Sequence, residues 1–361
     1  MATIRFEGRN AQFFSTLRSR IDQYFTENNI KPTGNWSLYI KTIVFGLLLL
    51  SSYVFLVFFT PEQTWLQIVL CSLLGISFAA IGFNVMHDGS HGSYSTKPWI
   101  NKLMANSLNF LGGNAFYWVE KHNIAHHSFT NIDGADEDID IYPYMRLNNN
   151  QKKLWFHKFQ HIYGIVLYSV AYLTWISLQD FTKYFSGKIG DRKMKGKMSA
   201  FEHFEFWASK LVYLGIFIFV PALKVGLFKA VIGYLIMAIV TGICITIVFQ
   251  LAHVVEGMDF IANDPEEVVV ENDWATHQIS TTSNFATKSK LWCWLLGGLN
   301  FQVEHHLFPK ISHVHYPKIN EIVKSTCADF NIRYQEFPTM FKAIKSHFNY
   351  LKYIGQLNPT A

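Results

Sequence analysis

Residues 65–91 read WLQIVLCSLLGISFAAIGFNVMHDGSH. From Trp65 to Met86 there is no charged residue, and the run matches the ~20 apolar residues that a helix needs to cross a bilayer. It ends on His87-Asp-Gly-Ser-His91, two imidazoles at a spacing that puts them on one face of a helix. The stretch predicts a membrane span that delivers a pair of metal-ligand side chains to the membrane surface.

Upstream, the chain from about Ile40 to Thr60 is almost wholly apolar and also long enough to span. Pro61-Glu62-Gln63 between the two runs reads as a tight turn, so they form a helical hairpin. That turn carries no Lys or Arg, whereas Lys41, Lys97 and Lys102 flank the other ends, which places the N-terminus and the first histidine pair in the cytoplasm. Residues 1–40, with Arg5, Arg9, Arg18, Arg20 and Lys31, read as a polar, partly helical cytoplasmic lead-in and not as a cleavable signal peptide.

Two more clusters follow: His122-Asn-Ile-Ala-His126-His127 and Gln302-Val-Glu-His305-His306. With 15 histidines in 361 residues, a single pair would be weak evidence. Three compact clusters holding seven of the fifteen are not chance. Helical spacing aims His122 with His126, and Gln302 with His305 and His306, at single points, and leaves His127 one step round from His126.

Composition agrees with a membrane protein. Half the residues are hydrophobic and charged residues are 16%, well below the ~25% of soluble domains. The net charge of +5 fits cytoplasmic-side Lys and Arg beside anionic lipid, not nucleic-acid binding. Cys71, Cys244, Cys293 and Cys327 are scattered, which argues against a thiolate metal site or a disulfide framework.

Three further apolar runs, at about 162–176, 207–223 and 227–252, lie between the second and third clusters. If all clusters share one site they lie on one side of the membrane, so an even number of these runs must cross. The expectation is that 207–223 and 227–252 cross. The shorter run, rich in Tyr and Trp and flanked by His161 and Asp180, lies in the interface. Leu103–Val119, apolar but interrupted by Asn106, Asn109, Asn114 and a Gly-Gly pair, packs beside the site. Lys224 and Lys229 in the turn between the last two spans run against the positive-inside pattern. The tail, broken by Pro309, Pro317 and Pro338, joins a cytoplasmic cap. The fold class is all-α integral membrane: four transmembrane helices, at about 41–60, 65–86, 207–223 and 227–252, under a helical cap.

Imidazole-rich, sulfur-free ligation suits Fe, Zn, Cu or Ni. Seven clustered histidines exceed the three or four ligands of one zinc and suffice for two metals. His253, at the cytoplasmic end of the last span, is an eighth candidate. Two irons at a membrane face would suit activation of O2 against an unactivated C–H bond of a lipid. Carboxylates would orient the imidazoles and balance charge, with Asp88, Glu304, Asp133, Asp136 and Asp138 as candidates and His313 and His315 beside them. The acidic run Asn131–Asp140 reads equally as a solvated loop, and it lacks the full EF-hand calcium pattern. His157, His161, His203, His277 and His347 read as surface or interface residues, and Tyr117, Trp118, Trp155, Tyr163 and Trp175 as an interfacial belt.

At these residues the chain resembles the membrane fatty acid desaturases with their three histidine boxes. Gln302, where most of that superfamily has His, makes the third box similar to the front-end type, which desaturates between an existing double bond and the carboxyl end. Stretches such as Phe83-Asn-Val-Met-His87-Asp, Thr130-Asn-Ile, Leu251-Ala-His253-Val, Thr281-Thr-Ser-Asn-Phe-Ala-Thr287 and His305-His-Leu-Phe-Pro309 resemble the cyanobacterial Δ6 enzymes. The resemblance covers nearly the whole chain and implies a desaturase domain over residues 41–355. It implies a non-haem di-iron site held by His87, His91, His122, His126, His127, His253, His305 and His306, with Gln302 in the ninth position. It further implies O2 as co-substrate, a fatty acyl substrate (lipid-linked or acyl-CoA), and a multi-pass protein of a bacterial inner membrane with its site on the cytoplasmic side. The His-Pro-Gly-Gly motif of a fused cytochrome b5 is absent, so the electron donor is expected to be a separate carrier, ferredoxin or cytochrome b5. Phe249 stands where acyl-CoA Δ9 desaturases place an Asn, so one iron's surroundings are expected to differ. An acyl tunnel is expected along Leu103–Val119 and the cytoplasmic ends of the spans, with Asn114 and Ala115 as lining candidates. A hydroxylase, ketolase or alkane monooxygenase is the rival enzyme reading, and a histidine-rich metal transporter the non-enzyme one. Transporters hold their ligands at the bilayer midplane, whereas these histidines stand at span ends.

Overall fold

A computed structural model describes residues 3–8, 11–138, 141–190, 192–194, 196–262 and 267–358. Among them, five helices are long and apolar enough to cross a membrane: Trp36–Phe58 (α2), Thr64–His91 (α3), His157–Ser186, Ala200–Val225 and Leu227–His253. Four contain the expected spans. The remaining one, His157–Ser186, is twice as long as the 162–176 segment expected from the sequence, because its polar ends continue the helix past the apolar stretch. The outward faces of these helices carry Ile40, Leu47, Leu50, Phe55, Ile68, Leu211, Phe219 and Phe228. That much exposed apolar surface belongs against lipid, not water.

A short amphipathic helix, Ala11–Glu27 (α1), precedes the hairpin. After it come Pro98–Ala105 (α4) and residues 115–129 (α5), the latter built from Ala115–Trp118, a π-helical stretch Val119–His126 and His127–Phe129. The last three long helices are α6 (His157–Ser186), α7 (Ala200–Val225) and α8 (Leu227–His253). The cap is completed by α9 (Trp274–Ser280), α10 (Gln302–Leu307), α11 (Tyr316–Asp329) and α12 (Met340–Gln356).

Helix α8 is the spine, with α3 and α6 packed closely against it. Two glycines permit this. A methyl on Gly75 of α3 would sit 2.5 Å from the Met237 carbonyl oxygen, and one on Gly242 of α8 would sit 2.7 Å from that of Tyr168. Small residues at such crossings let backbones approach where no hydrophobic drive between helices exists. Between α6 and α7, Lys210 Nζ lies 2.7 Å from Asp180, and it also bonds the carbonyls of Gly112 and Ile176. A buried charge is tolerated because its partners satisfy it.

Residues 1–40 do more than lead in. Helix α1 places Phe13, Leu17, Ile21 and Phe25 at four-residue spacing, and all are buried against Val303, Leu307, Ile319 and Val323 of the cap. Each such side chain contributes roughly 1.5–3 kcal/mol on burial, an upper estimate. The strand β1 (Thr3–Phe6) pairs in parallel with β2 (Glu267–Val270), so the N-terminal segment is stitched into the cap. Lys41, read from sequence as an inner-side flank, is buried at 3% exposure; its Nζ donates to Asn84 Oδ1 at 3.1 Å and lies 2.9 Å from His313 Nε2.

Both ends of α6 touch the cap. At the first, Gln160 bonds the Leu351 carbonyl, and His157 Nε2 bonds that of Pro143. Near the second, Lys183 lies 3.0 Å from Glu137. Glu137 stands between Asp136 and Asp138, in the loop that follows the second histidine cluster.

Candidate metal centre

The three clusters converge. Helix α3 changes from α to π geometry over Gly82–Met86 just before His87, then ends at Gly92 in the left-handed conformation. The second cluster lies on the π stretch of α5, not on the α-helix its spacing suggested. An α-helix would turn His127 about 100° away from His126. The wider π turn brings residues five apart into line. His127 Nε2 accordingly lies 3.3 Å from His122 Nε2, which in turn lies 3.2 Å from His87 Nε2. Helix α10 adds His305 and His306, and α8 delivers His253 from the membrane side.

The ligand atoms fall into two sets joined by a third. Those of His87, His91, His122 and His305 lie within 4.8 Å of one another, as do those of His126, His253 and His306. His127 groups with His305 and His306 between them. The Nε2 atoms of His91, His126, His253, His305 and His306 are buried with no hydrogen-bond partner among the described residues. Leaving such atoms unsatisfied costs about 1–3 kcal/mol each, so five in one cluster fit a site whose lone pairs are meant for metal.

The opposite ring nitrogens are held. His126 Nδ1 sits 2.9 and 3.0 Å from the two oxygens of Asp136, and His122 Nδ1 sits 3.4 Å from Asp138. His253 Nδ1 lies 3.1 Å from the Thr281 carbonyl, His306 Nδ1 2.8 Å from Gln278 Oε1, and His305 Nδ1 3.3 Å from the Tyr316 hydroxyl. An imidazole that donates from Nδ1 presents a bare Nε2 lone pair, the form that ligates metal. Burial, reinforced by neighbouring imidazoles, holds His122, His127, His305 and His306 well below the usual imidazole range. Burial also acts on His126, but the Asp136 carboxylate outweighs it and raises its pKa. Burial pushes Asp138 up while Lys121, 2.7 Å away, and His122 hold it well below the usual carboxylate range.

The acidic run is therefore no solvated loop over its described part; Ile139 and Asp140 lie outside the described residues. Asn131, at φ 56°, turns the chain so that its N–H and that of Asp138 both donate to Asp136. The other candidates point elsewhere. Asp133 accepts from Asn148, and Glu304 accepts from Asn284, Asn320 and Tyr334, which ties α10 to the cap and orients no imidazole. Asp88 accepts from Ser312 at 2.6 Å and lies 3.1 Å from His313 Nδ1. His313 lies against Asp88 and Lys41, and His315 bonds the Thr33 carbonyl and meets the Phe25 ring edge-on, so these side chains are engaged away from the bare nitrogens of the cluster. Gln302 is buried one turn before His305, and its amide nitrogen has no hydrogen-bond partner among the described residues.

Sequence reasoning missed Gln278, Thr281 and Tyr316, whose only signal would have been proximity in space. It also misplaced several residues. His157, His277 and His347 are buried and bonded to backbone carbonyls, whereas His203 is exposed. Trp118 belongs to no belt: it stacks on His122 with ring centroids 4.5 Å apart. Tyr117 is likewise buried, while Trp155 is 78% exposed.

A narrow apolar cavity runs from His87 into the bundle, lined by Met86, Phe83 and Phe78 of α3, Leu108, Leu111, Trp118, Trp175, and Phe249, Ile245 and Thr241 of α8. Leu108, Leu111 and Trp118 come from the Leu103–Val119 segment. Asn114 and Ala115 do not line it, because the Asn114 side chain is spent capping α5 through the Tyr117 N–H and Ala115 packs under Trp118. Phe249 stands both in this cavity and 5.8 Å from the His122 ring.

Residues 63–338 match the family model described as fatty acid desaturase. The chain is 35% identical to an sn-1 linoleoyl-lipid 6-desaturase of Synechocystis sp., over 95% of this chain and 96% of that protein. It is 32% identical to one of Arthrospira platensis, over 98% and 95%. It is 36% identical to an acyl-lipid (8-3)-desaturase of Physcomitrium patens, over 98% of this chain and 74% of that one. With eight converging imidazoles, one of them lining an apolar cavity, and this likeness along almost its whole length, the chain belongs to the fatty acid desaturase family, in its front-end branch.

Proposed function

We propose that this enzyme is an O2-dependent front-end desaturase that inserts a cis double bond at the Δ6 position of an 18-carbon acyl chain. The observation that carries the reading is that the apolar cavity reaches, at His87, the imidazole cluster in which five buried Nε2 atoms lack a partner among the described residues. Two irons bound there would supply the oxidising power to remove two hydrogens from adjacent methylenes. The balance is one O2, two electrons and two protons in, one double bond and two waters out. His87, His91, His122 and His305 would hold one ion, and His126, His253 and His306 the other, with His127 between them and Gln302 as a further ligand. Asp136, Asp138, Gln278 and the Thr281 carbonyl fix the rings. The cavity walls exclude water and hold the acyl chain extended.

The likeness to the two linoleoyl-lipid 6-desaturases supports the Δ6 position. The topology we infer has four spans, α2, α3, α7 and α8, with the metal centre and cap on the cytoplasmic side of a bacterial inner membrane. The contacts of both ends of α6 with the cap support it, since a crossing helix would leave one end on the far side. Electrons come from a separate carrier protein such as ferredoxin or cytochrome b5, and the acyl group is lipid-linked.

The test is expression in a host fed linoleate, with lipid analysis by gas chromatography–mass spectrometry and metal analysis of the purified protein. A new Δ6 double bond with iron bound is expected. Hydroxy or keto products, a bond at another position, or stoichiometric zinc without iron would overturn the proposal.

A further inference from the structure

A second apolar groove opens at the end of the bundle opposite the histidines. It lies where α2 and α7 end and where α3 and α8 begin, with a cavity volume of about 320 Å³. That is at the lower end of the ~300–1,000 Å³ typical of a small-ligand site. Tyr53, Ile68, Ile232 and Gly233 form part of its wall, and Lys229 stands at its rim. Lys224, in the same turn, lies 5.6 Å from the centroid of the Phe58 ring. Both lysines are exposed, and neither makes an ion pair among the described residues. These are the two cations that run against the positive-inside pattern. Glu62, in the adjoining turn, is exposed as well.

We propose that this groove binds one anionic glycerophospholipid of the leaflet opposite the metal centre. One acyl chain lies in the groove and the phosphate sits between Lys224 and Lys229. The apolar wall meets the acyl chain at membrane depth. The two ammonium groups supply the charge complementarity, as basic residues do at membrane surfaces. The lipid is a structural ligand, separate from the acyl chain that reacts.

The test uses the purified full-length chain in detergent. Thermal unfolding is followed with added dioleoylphosphatidylglycerol or dioleoylphosphatidylcholine, and retained lipid is counted by native mass spectrometry. A ligand that binds only the folded state raises its melting temperature. Phosphatidylglycerol is expected to raise it several degrees above phosphatidylcholine and to remain bound at one per chain. The double variant Lys224→Gln/Lys229→Gln and the groove-filling Ile232→Trp should each abolish that difference, with desaturation unchanged. Equal shifts with both lipids, or a preference that survives in the lysine variant, would overturn the proposal. So would a changed product chain length in Ile232→Trp, which would make the groove part of the substrate tunnel. The lysines lie at the surface, so their variant decides the matter even if Ile232→Trp fails to fold.

Discussion

Replacing Asp136 with Asn tests whether the acidic loop serves the metal centre. The carboxylate is 1% exposed and receives three donors: His126 Nδ1, the Asn131 N–H and the Asp138 N–H, all within 2.9–3.0 Å. Asn keeps the shape but has one oxygen. Its amide N–H2 must face one of the two backbone N–H groups, leaving a buried donor against a donor. A hydrogen bond to a charged group contributes roughly 1.5–3 kcal/mol, and an unsatisfied buried donor costs about 1–3. Loss of a partner behind a ligating imidazole typically lowers metal affinity or activity about 10- to 100-fold, equivalent to about 1.4–2.7 kcal/mol. Asp136→Asn should therefore lose iron and drop desaturation by that factor. Asp133→Asn, three residues away but bonded to Asn148, should leave both unchanged. Iron is read by elemental analysis of purified protein and activity by product formation from linoleate. Full iron and activity in Asp136→Asn, or an equal loss in Asp133→Asn, would refute the reasoning.

Three further outcomes follow from the packing. Burial lowers His277 and His347 to about 4 while the unfolded chain titrates near the usual ~6.5, so the unfolded state takes up protons first as pH falls. Their contribution is complete above that value and declines below it, by about 2 kcal/mol each at pH 5; melting temperatures of the metal-free protein should fall from pH 7.5 to 5, and less steeply in His347→Gln. Phe78→Leu should enlarge the cavity and shift preference from 18- to 20-carbon chains by roughly 10-fold or more, read from products of a mixed feed; an unchanged ratio would remove Phe78 from the acyl path. Gly75→Ala should destabilise by about 1–3 kcal/mol through its clash with the Met237 carbonyl, whereas Gly46→Ala, with open space around it, should not; thermal unfolding of the two variants separates them.

How much of this was legible in the chain differs by element. The helices of the hairpin and the two late apolar helices were readable because an uninterrupted apolar run is a local property. Helix α6 was misjudged in length, since its polar ends continue the helix beyond the apolar run and meet partners such as Leu351 and Glu137 that are distant in the chain. The histidine clusters were readable from spacing, but α-helical spacing would have left His127 aside. The π stretch that brings it in carries no local signature in the sequence. Among five candidate carboxylates the sequence had no means of choosing Asp136 and Asp138 over Asp133, Glu304 and Asp88, because all are equally acidic and equally near.

By itself, then, the sequence determined a membrane protein with three imidazole clusters at span ends, because hydrophobic length and ligand spacing are properties of contiguous residues. Tertiary structure alone decided which nitrogen of each ring stays bare, which carboxylates stand behind them, and where the apolar cavity meets the site. Those depend on partners as distant in the chain as His306 and Gln278 or His126 and His253, brought within a few ångströms only when α8, α9 and α10 close over α5.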